Sequence, residues 1–122
     1  MVVRIASALL TFSGLLALIS GGLFWIDLAS NLMSLHMLLG FLTVAALWTI
    51  GIAQATAKGG SPAFAASALV VGALTIFLGF YQSTLMIGPL HWIVEITHLT
   101  LGILTIGLGH MGAARYRKKN SA

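Results

Sequence analysis

Four stretches of this chain, at about residues 4–25, 32–57, 63–86 and 89–114, are apolar enough to cross a lipid bilayer. A helical span needs about 20 consecutive, mainly apolar residues. Four such spans use nearly all of the 122 residues. No separate soluble domain fits beside them. In hydrocarbon every backbone N–H and C=O must be satisfied within the protein, which a helix does within itself. The expected fold is therefore all-α: one integral membrane domain, residues 1–122, folded as a four-transmembrane-helix bundle.

The breaks between spans carry the chemistry of turns. Residues 26–31 include Asp27, and Lys58-Gly59-Gly60-Ser61-Pro62 is a dense breaker cluster. Gly88 and Pro89 form the last break, with Pro89 placed to open the fourth helix. Arg4 followed by an apolar run has the outline of a signal peptide. The run is long, and no small-x-small cleavage site precedes a soluble segment, so an uncleaved first helix is expected.

Charge sets the expected orientation. The chain has six Lys/Arg, and an even number of spans returns both termini to one side. Arg4, Lys58, Arg115, Arg117, Lys118 and Lys119 then all fall on that side, which the positive-inside rule makes cytoplasmic. Asp27, Trp25 and Trp92 fall at the outer boundary and Tyr116 at the inner one. A bacterial inner (plasma) membrane is the expected location. The net charge of +4 thus points to topology and anionic lipid rather than nucleic acid, since no basic face interleaved with aromatics exists. The chain has no cysteine, which excludes disulfides, iron–sulfur clusters, thiolate ligation and thiol catalysis.

Within this apolar background one phrase occurs twice. Residues 36–43 read HMLLGFLT and residues 98–105 read HLTLGILT, sharing H-x-x-x-G-x-L-T. The offset is 62 residues, and Ser7-Ala8-Leu9 resembles Ser67-Ala68-Leu69 at an offset of 60. Two tandem helical hairpins, related by an axis along the membrane normal, are the expected arrangement. Convergence in a Leu/Gly/Thr background is the alternative.

A histidine inside a bilayer is costly and marks a functional site by default. At about 100° per residue, His91, Glu95, His98, Gly102, Thr105 and Gly109 share one face of the fourth helix. His36, Gly40, Thr43 and Gln54 share a stripe on the second. Glycine one turn from a ligating histidine leaves room for a broad, flat macrocycle. Close helix packing would also select glycine, but does not account for the histidines. His36 and His98 are the expected iron ligands. Gly40, Gly102, Thr43, Thr105, His91 and Glu95 are expected around the same cofactor.

The second ligand has two candidates. The repeat pairs His36 with His98, the preferred reading. Counting from the basic end favours His91: His36 lies 22 residues before Lys58, His91 lies 24 before Arg115, and His98 only 17. If His98 ligates, His91 and Glu95 sit above it. They are then candidates for a haem propionate, a proton path or a quinone site, or are merely wet interfacial residues. His110 is expected at the inner interface without a partner. Met37 adjoins His36 but points about 100° away.

In size, span count and the His36 and His98 phrases, the chain resembles the four-helix membrane b-type cytochromes, including cytochrome b561-like proteins and the halves of heme A synthase. That resemblance implies histidines on facing helices ligating haem b inside the bundle, one haem per chain here. The chain departs from the group in having too few histidines for paired inner and outer haems. Electron transfer near the outer face is the function it implies, with quinone as a further ligand and other membrane-complex subunits or a second copy as partners. A non-redox haem- or chlorophyll-binding subunit, and a structural or metal-handling bundle, are the alternatives. Nothing resembles a nucleophile–base pair, phosphate loop or nucleotide site.

Overall fold

The computed structural model describes residues 1–121. Four helices follow one another: α1 (Val2–Trp25), α2 (Met33–Thr56), α3 (Pro62–Tyr81) and α4 (His91–Asn120). Short 3-10 turns at Ser30–Leu32 and Gln82–Thr84 precede α2 and follow α3. All four helices are long and apolar enough to cross a membrane. Large apolar side chains cover their outside, Phe12, Leu15, Ile19, Val70, Phe77 and Ile103 among them. In water such a surface would drive association; against lipid tails it is the favourable one.

Each helix packs on its neighbours in chain order, α1 packs on α4, and α2 meets α4 across the middle. The two termini lie at one end of the bundle. There Thr11 Oγ1 and His110 Nε2 are 3.3 Å apart, giving His110 a partner that sequence spacing did not provide. This basic end is closed. Leu10, Ala46, Leu47, Ile50, Ala68 and Ala113 form its core, with Leu10, Leu47, Ile50 and Ala113 fully excluded from the surface. Glycines make the approach possible: a Cβ on Gly109 would run into Leu10, and one on Gly112 into Phe64 and Ile50. Small residues serve membrane helices this way because dispersion contacts, not hydrophobic exclusion, hold them together.

Several element ends differ from the sequence expectation. Pro62 is the first residue of α3 rather than part of the loop, and the Ser61 hydroxyl caps the helix by accepting from Phe64 N–H at 3.3 Å. A proline loses nothing there, because the first-turn N–H has no helical partner. Pro89 does not open α4. Positive φ at Met86 and Gly88 folds the chain first, and α4 begins at His91. Regular α-helix ends at Tyr81 rather than Met86, tightening into the 3-10 turn. At the other end α4 continues beyond Ala114 to Asn120. Its 30 residues rise about 45 Å, more than a bilayer core of about 30 Å. The surplus carries Arg115, Arg117, Lys118 and Lys119, whose charges suit a helix C-terminus.

That extension ties the basic end together. Lys119 Nζ donates to the Gly59 carbonyl in the α2–α3 turn, and the Arg115 guanidinium lies 5.4 Å from the centre of the Phe64 ring. Gly59 has φ +69°, a left-handed conformation that glycine adopts without cost. Gln54 belongs here too. Its side chain is buried beside the turn and accepts from Ser61 N–H at 3.4 Å, so it does not continue the His36 stripe.

Candidate functional site

The opposite half of the bundle is hollow. All four helices line a cavity of about 550 Å³, inside the roughly 300–1,000 Å³ range of cofactor pockets. Thr43, Thr75 and Thr105 line it together with Gly14. Below them the Ser13–Thr43 hydroxyl pair at 2.9 Å joins α1 to α2, and the Thr75–Thr105 pair at 3.0 Å joins α3 to α4. Hydroxyl pairs between helices replace apolar packing at this level and mark where the closed core gives way to the cavity.

His36 and His98 face each other in this space, ring centres 6.3 Å apart and planes inclined at 62°. Two imidazole nitrogens holding one ion at about 2 Å each, each nitrogen about 1.1 Å from its ring centre, give a separation of about 6.2 Å. Gly40 and Gly102, one turn on from each histidine, also line the cavity, and a Cβ on either would meet nothing within 4 Å. They are therefore unlike the packing glycines at 109 and 112. What they leave open is the cavity itself.

The other expected residues divide. Thr43, Thr105 and Glu95 line the cavity; His91 does not. His91 opens α4, with Nδ1 3.0 Å from the Leu85 carbonyl and Nε2 3.9 Å from Glu95 Oε1. The structure thus brings His98 to His36 and leaves His91 at the rim. Gly109 is below the cavity, against Leu10. Met33 and Met37 line the wall near His36, although the helical wheel directed Met37 elsewhere.

Two residues around the histidines escaped sequence reasoning. Ser20 on α1 has its hydroxyl 2.8 Å from His36 Nδ1. Gly21 beside it gives the ring its place: a Cβ there would lie 3.3 Å from His36 Cε1. Gly79 does the same for His98, at 3.4 Å from Cε1. Only the pairing of α1 with α2 and of α3 with α4 reveals these contacts, since Ser and Gly in membrane helices are ordinarily packing residues.

No family model, curated protein or solved structure matches the chain. What the site can hold follows from its own donors. Among the described residues, no group of three or more His, Asp or Glu is placed to hold a metal ion. A bare zinc or copper ion wants more protein ligands than two imidazoles. A haem iron brings four equatorial nitrogens of its own and asks the protein for axial ligands. Two facing imidazoles, open space beside each, and apolar walls fit that requirement. His98 Nδ1 is buried without a hydrogen-bond partner, the kind of loose end that a site built for a further group leaves.

Proposed function

We propose that this chain is a haem b-binding membrane cytochrome, with His36 and His98 as axial ligands to one haem and electron transfer as its task. The observation that carries the reading is the pairing of histidines 6.3 Å apart with glycines that border empty space rather than a neighbouring helix. Bound there, the haem would supply a one-electron couple. The chain supplies two neutral nitrogen donors, room for the ring at Gly40 and Gly102, and walls of Phe24, Leu18, Val44, Ile76 and Ile106 that exclude water. Low polarity and axial ligation are the levers by which a protein sets such a couple.

The far end of the bundle, away from the termini, is where electrons would enter or leave. The cavity is in that half, and Glu95, Gln82, Trp25 and Met33 border it. A quinol, amphipathic and lipid-borne, is the donor that suits a site opening at membrane depth. The small loops favour action as a subunit of a larger membrane complex or as a homo-oligomer. With all Lys/Arg at the basic end, that end would face the cytoplasm of a bacterial inner membrane, both termini included.

The two hairpins would be copies. The Ser13–Thr43 and Thr75–Thr105 pairs are each displaced by 62 residues in both members, so the better register of α1 on α3 is 62 rather than the 60 of the Ser-Ala-Leu match. In the same register Leu10 and Gly72 exchange size, as do Gly109 and Leu47, so bulk lost on one helix returns on another. Equivalent positions also reach across hairpins: Trp48 Nε1 donates to the Ala68 carbonyl at 3.2 Å, where His110 meets Thr11.

Visible absorption of the detergent-purified protein, oxidised and dithionite-reduced, tests the reading. A Soret band and a sharp reduced α band, altered when either His36 or His98 becomes alanine, are expected. A colourless protein after expression with ample haem would sink it.

A further inference from the structure

The two histidines are held differently. Ser20 Oγ lies 2.9 Å from the Leu16 carbonyl and 3.0 Å from that of Ala17, so its single proton goes to the helix backbone. Its lone pairs then accept from His36 Nδ1–H at 2.8 Å. This fixes one tautomer and leaves Nε2 as the free donor atom of that ring, as a well-anchored metal ligand requires. Phe24 adds a second restraint, its ring meeting His36 edge-on at 5.3 Å.

His98 has neither restraint. Its Nδ1 is buried without any hydrogen-bond partner, and the only aromatic ring against it is His36 itself. The cause is in the backbone. α1 stays helical through Trp25, holding Ser20 well inside the helix, whereas α3 ends at Tyr81. In the 62-residue register the counterpart of Ser20 is Gln82, the first residue of the 3-10 turn, which makes no hydrogen bond to His98.

Resting on the haem reading above, we infer that His36, anchored by Ser20, is the permanent axial ligand and His98 the exchangeable one, so that reduced haem accepts a small diatomic ligand on the His98 side. The site would then be more than an electron relay, since ligand binding on one face makes it responsive to a dissolved gas. Ser20 is a positioning residue, acting on the iron through His36.

The test uses the full chain in detergent, carbon monoxide as probe, and haem content and spectra as readouts. His98→Ala is expected to keep more than half of the haem as a five-coordinate form that binds carbon monoxide at once. His36→Ala is expected to lose at least tenfold in haem content. Added imidazole restores haem to His36→Gly, which a merely misfolded variant would not allow; failure of that rescue would remove His36 as the holder. Ser20→Ala is expected to speed haem loss about tenfold, the lower end of the range for partners of metal-bound histidines, with Ser20→Thr restoring it. Equal losses in the two alanine variants, or loss from His98→Ala alone, overturn the inference and leave the haem reading standing. A wild-type protein that binds no haem overturns both.

Discussion

Ser13 Oγ and Thr43 Oγ1 lie 2.9 Å apart in the interior, and each also reaches the carbonyl one turn back, Leu9 at 2.6 Å and Leu39 at 2.7 Å. Three contacts share two protons. One hydroxyl can donate to its own helix while the other donates across, and no proton remains for the cavity above. Thr75 and Thr105 repeat the arrangement at 3.0 Å, with the Val71 and Leu101 carbonyls each at 2.8 Å. The two pairs therefore present only lone pairs to the cavity, which suits a ligand that needs no anion-binding donors at this depth.

Replacing Thr43 or Thr105 by valine keeps the shape and removes the cross-helix bond. Because the remaining hydroxyl still has its own carbonyl, the cost is expected to be small, about 0.6 kcal/mol each and below about 1.7 kcal/mol, as for other hydrogen bonds between membrane helices. Reversible unfolding in mixed detergent micelles measures it. A loss well above that bound in either variant would mean the pairs do more than join helices.

Glycines of the two kinds should respond in opposite ways. Gly40→Leu and Gly102→Leu put bulk where a Cβ meets nothing within 4 Å, so the melting temperature is expected to change little while haem content falls at least tenfold. Gly109→Ala pushes a methyl into Leu10, and overpacking of this kind costs about 1–3 kcal/mol. Thermal unfolding and haem content, measured on all three, separate the effects. Unaltered haem content in Gly40→Leu would end the assignment of that glycine to the cofactor space.

Orientation is open to a direct measurement. A C-terminal fluorescent reporter that matures only in the cytoplasm is expected to be bright on the wild-type chain. Neutralising Arg115, Arg117, Lys118 and Lys119 together removes four of the six positive charges, and a mixed or inverted population is then expected. A dark wild-type fusion at normal abundance contradicts the positive-inside assignment.

The tie between Lys119 and Gly59 is exposed, so it should matter little. Lys119→Met is expected to shift stability by less than about 1 kcal/mol, in line with exposed charged contacts generally. Trp48→Phe, which deletes a donor to the Ala68 carbonyl inside the bundle, should cost more, about 1 kcal/mol. Comparison of the two unfolding midpoints checks the order.

How much of this was legible beforehand differs by element. Span number and the histidine phrases were plain, because apolar runs and rare polar residues are local signals. Helix ends were less so: Pro62 joined α3 and Pro89 stayed outside α4, since a proline permits a helix start without requiring one. Gln54 and His110 share sequence character with site residues but meet Ser61 and Thr11 instead. Choosing between His91 and His98 by counting from the basic residues gave the wrong neighbour for His36, because α4 overruns the bilayer length and its charges no longer mark a common depth.

Composition and hydrophobic run length by themselves determined a four-helix membrane bundle with its cations at one end, because transfer of charge and of unpaired backbone into lipid is too costly for any other arrangement. Only the tertiary structure decided which glycines pack and which border open space, that His36 faces His98, and that Ser20 holds one ring while the other is left without a partner. Those distinctions depend on which helix lies opposite each residue, and a one-dimensional pattern of apolar and small residues is nearly the same for every choice.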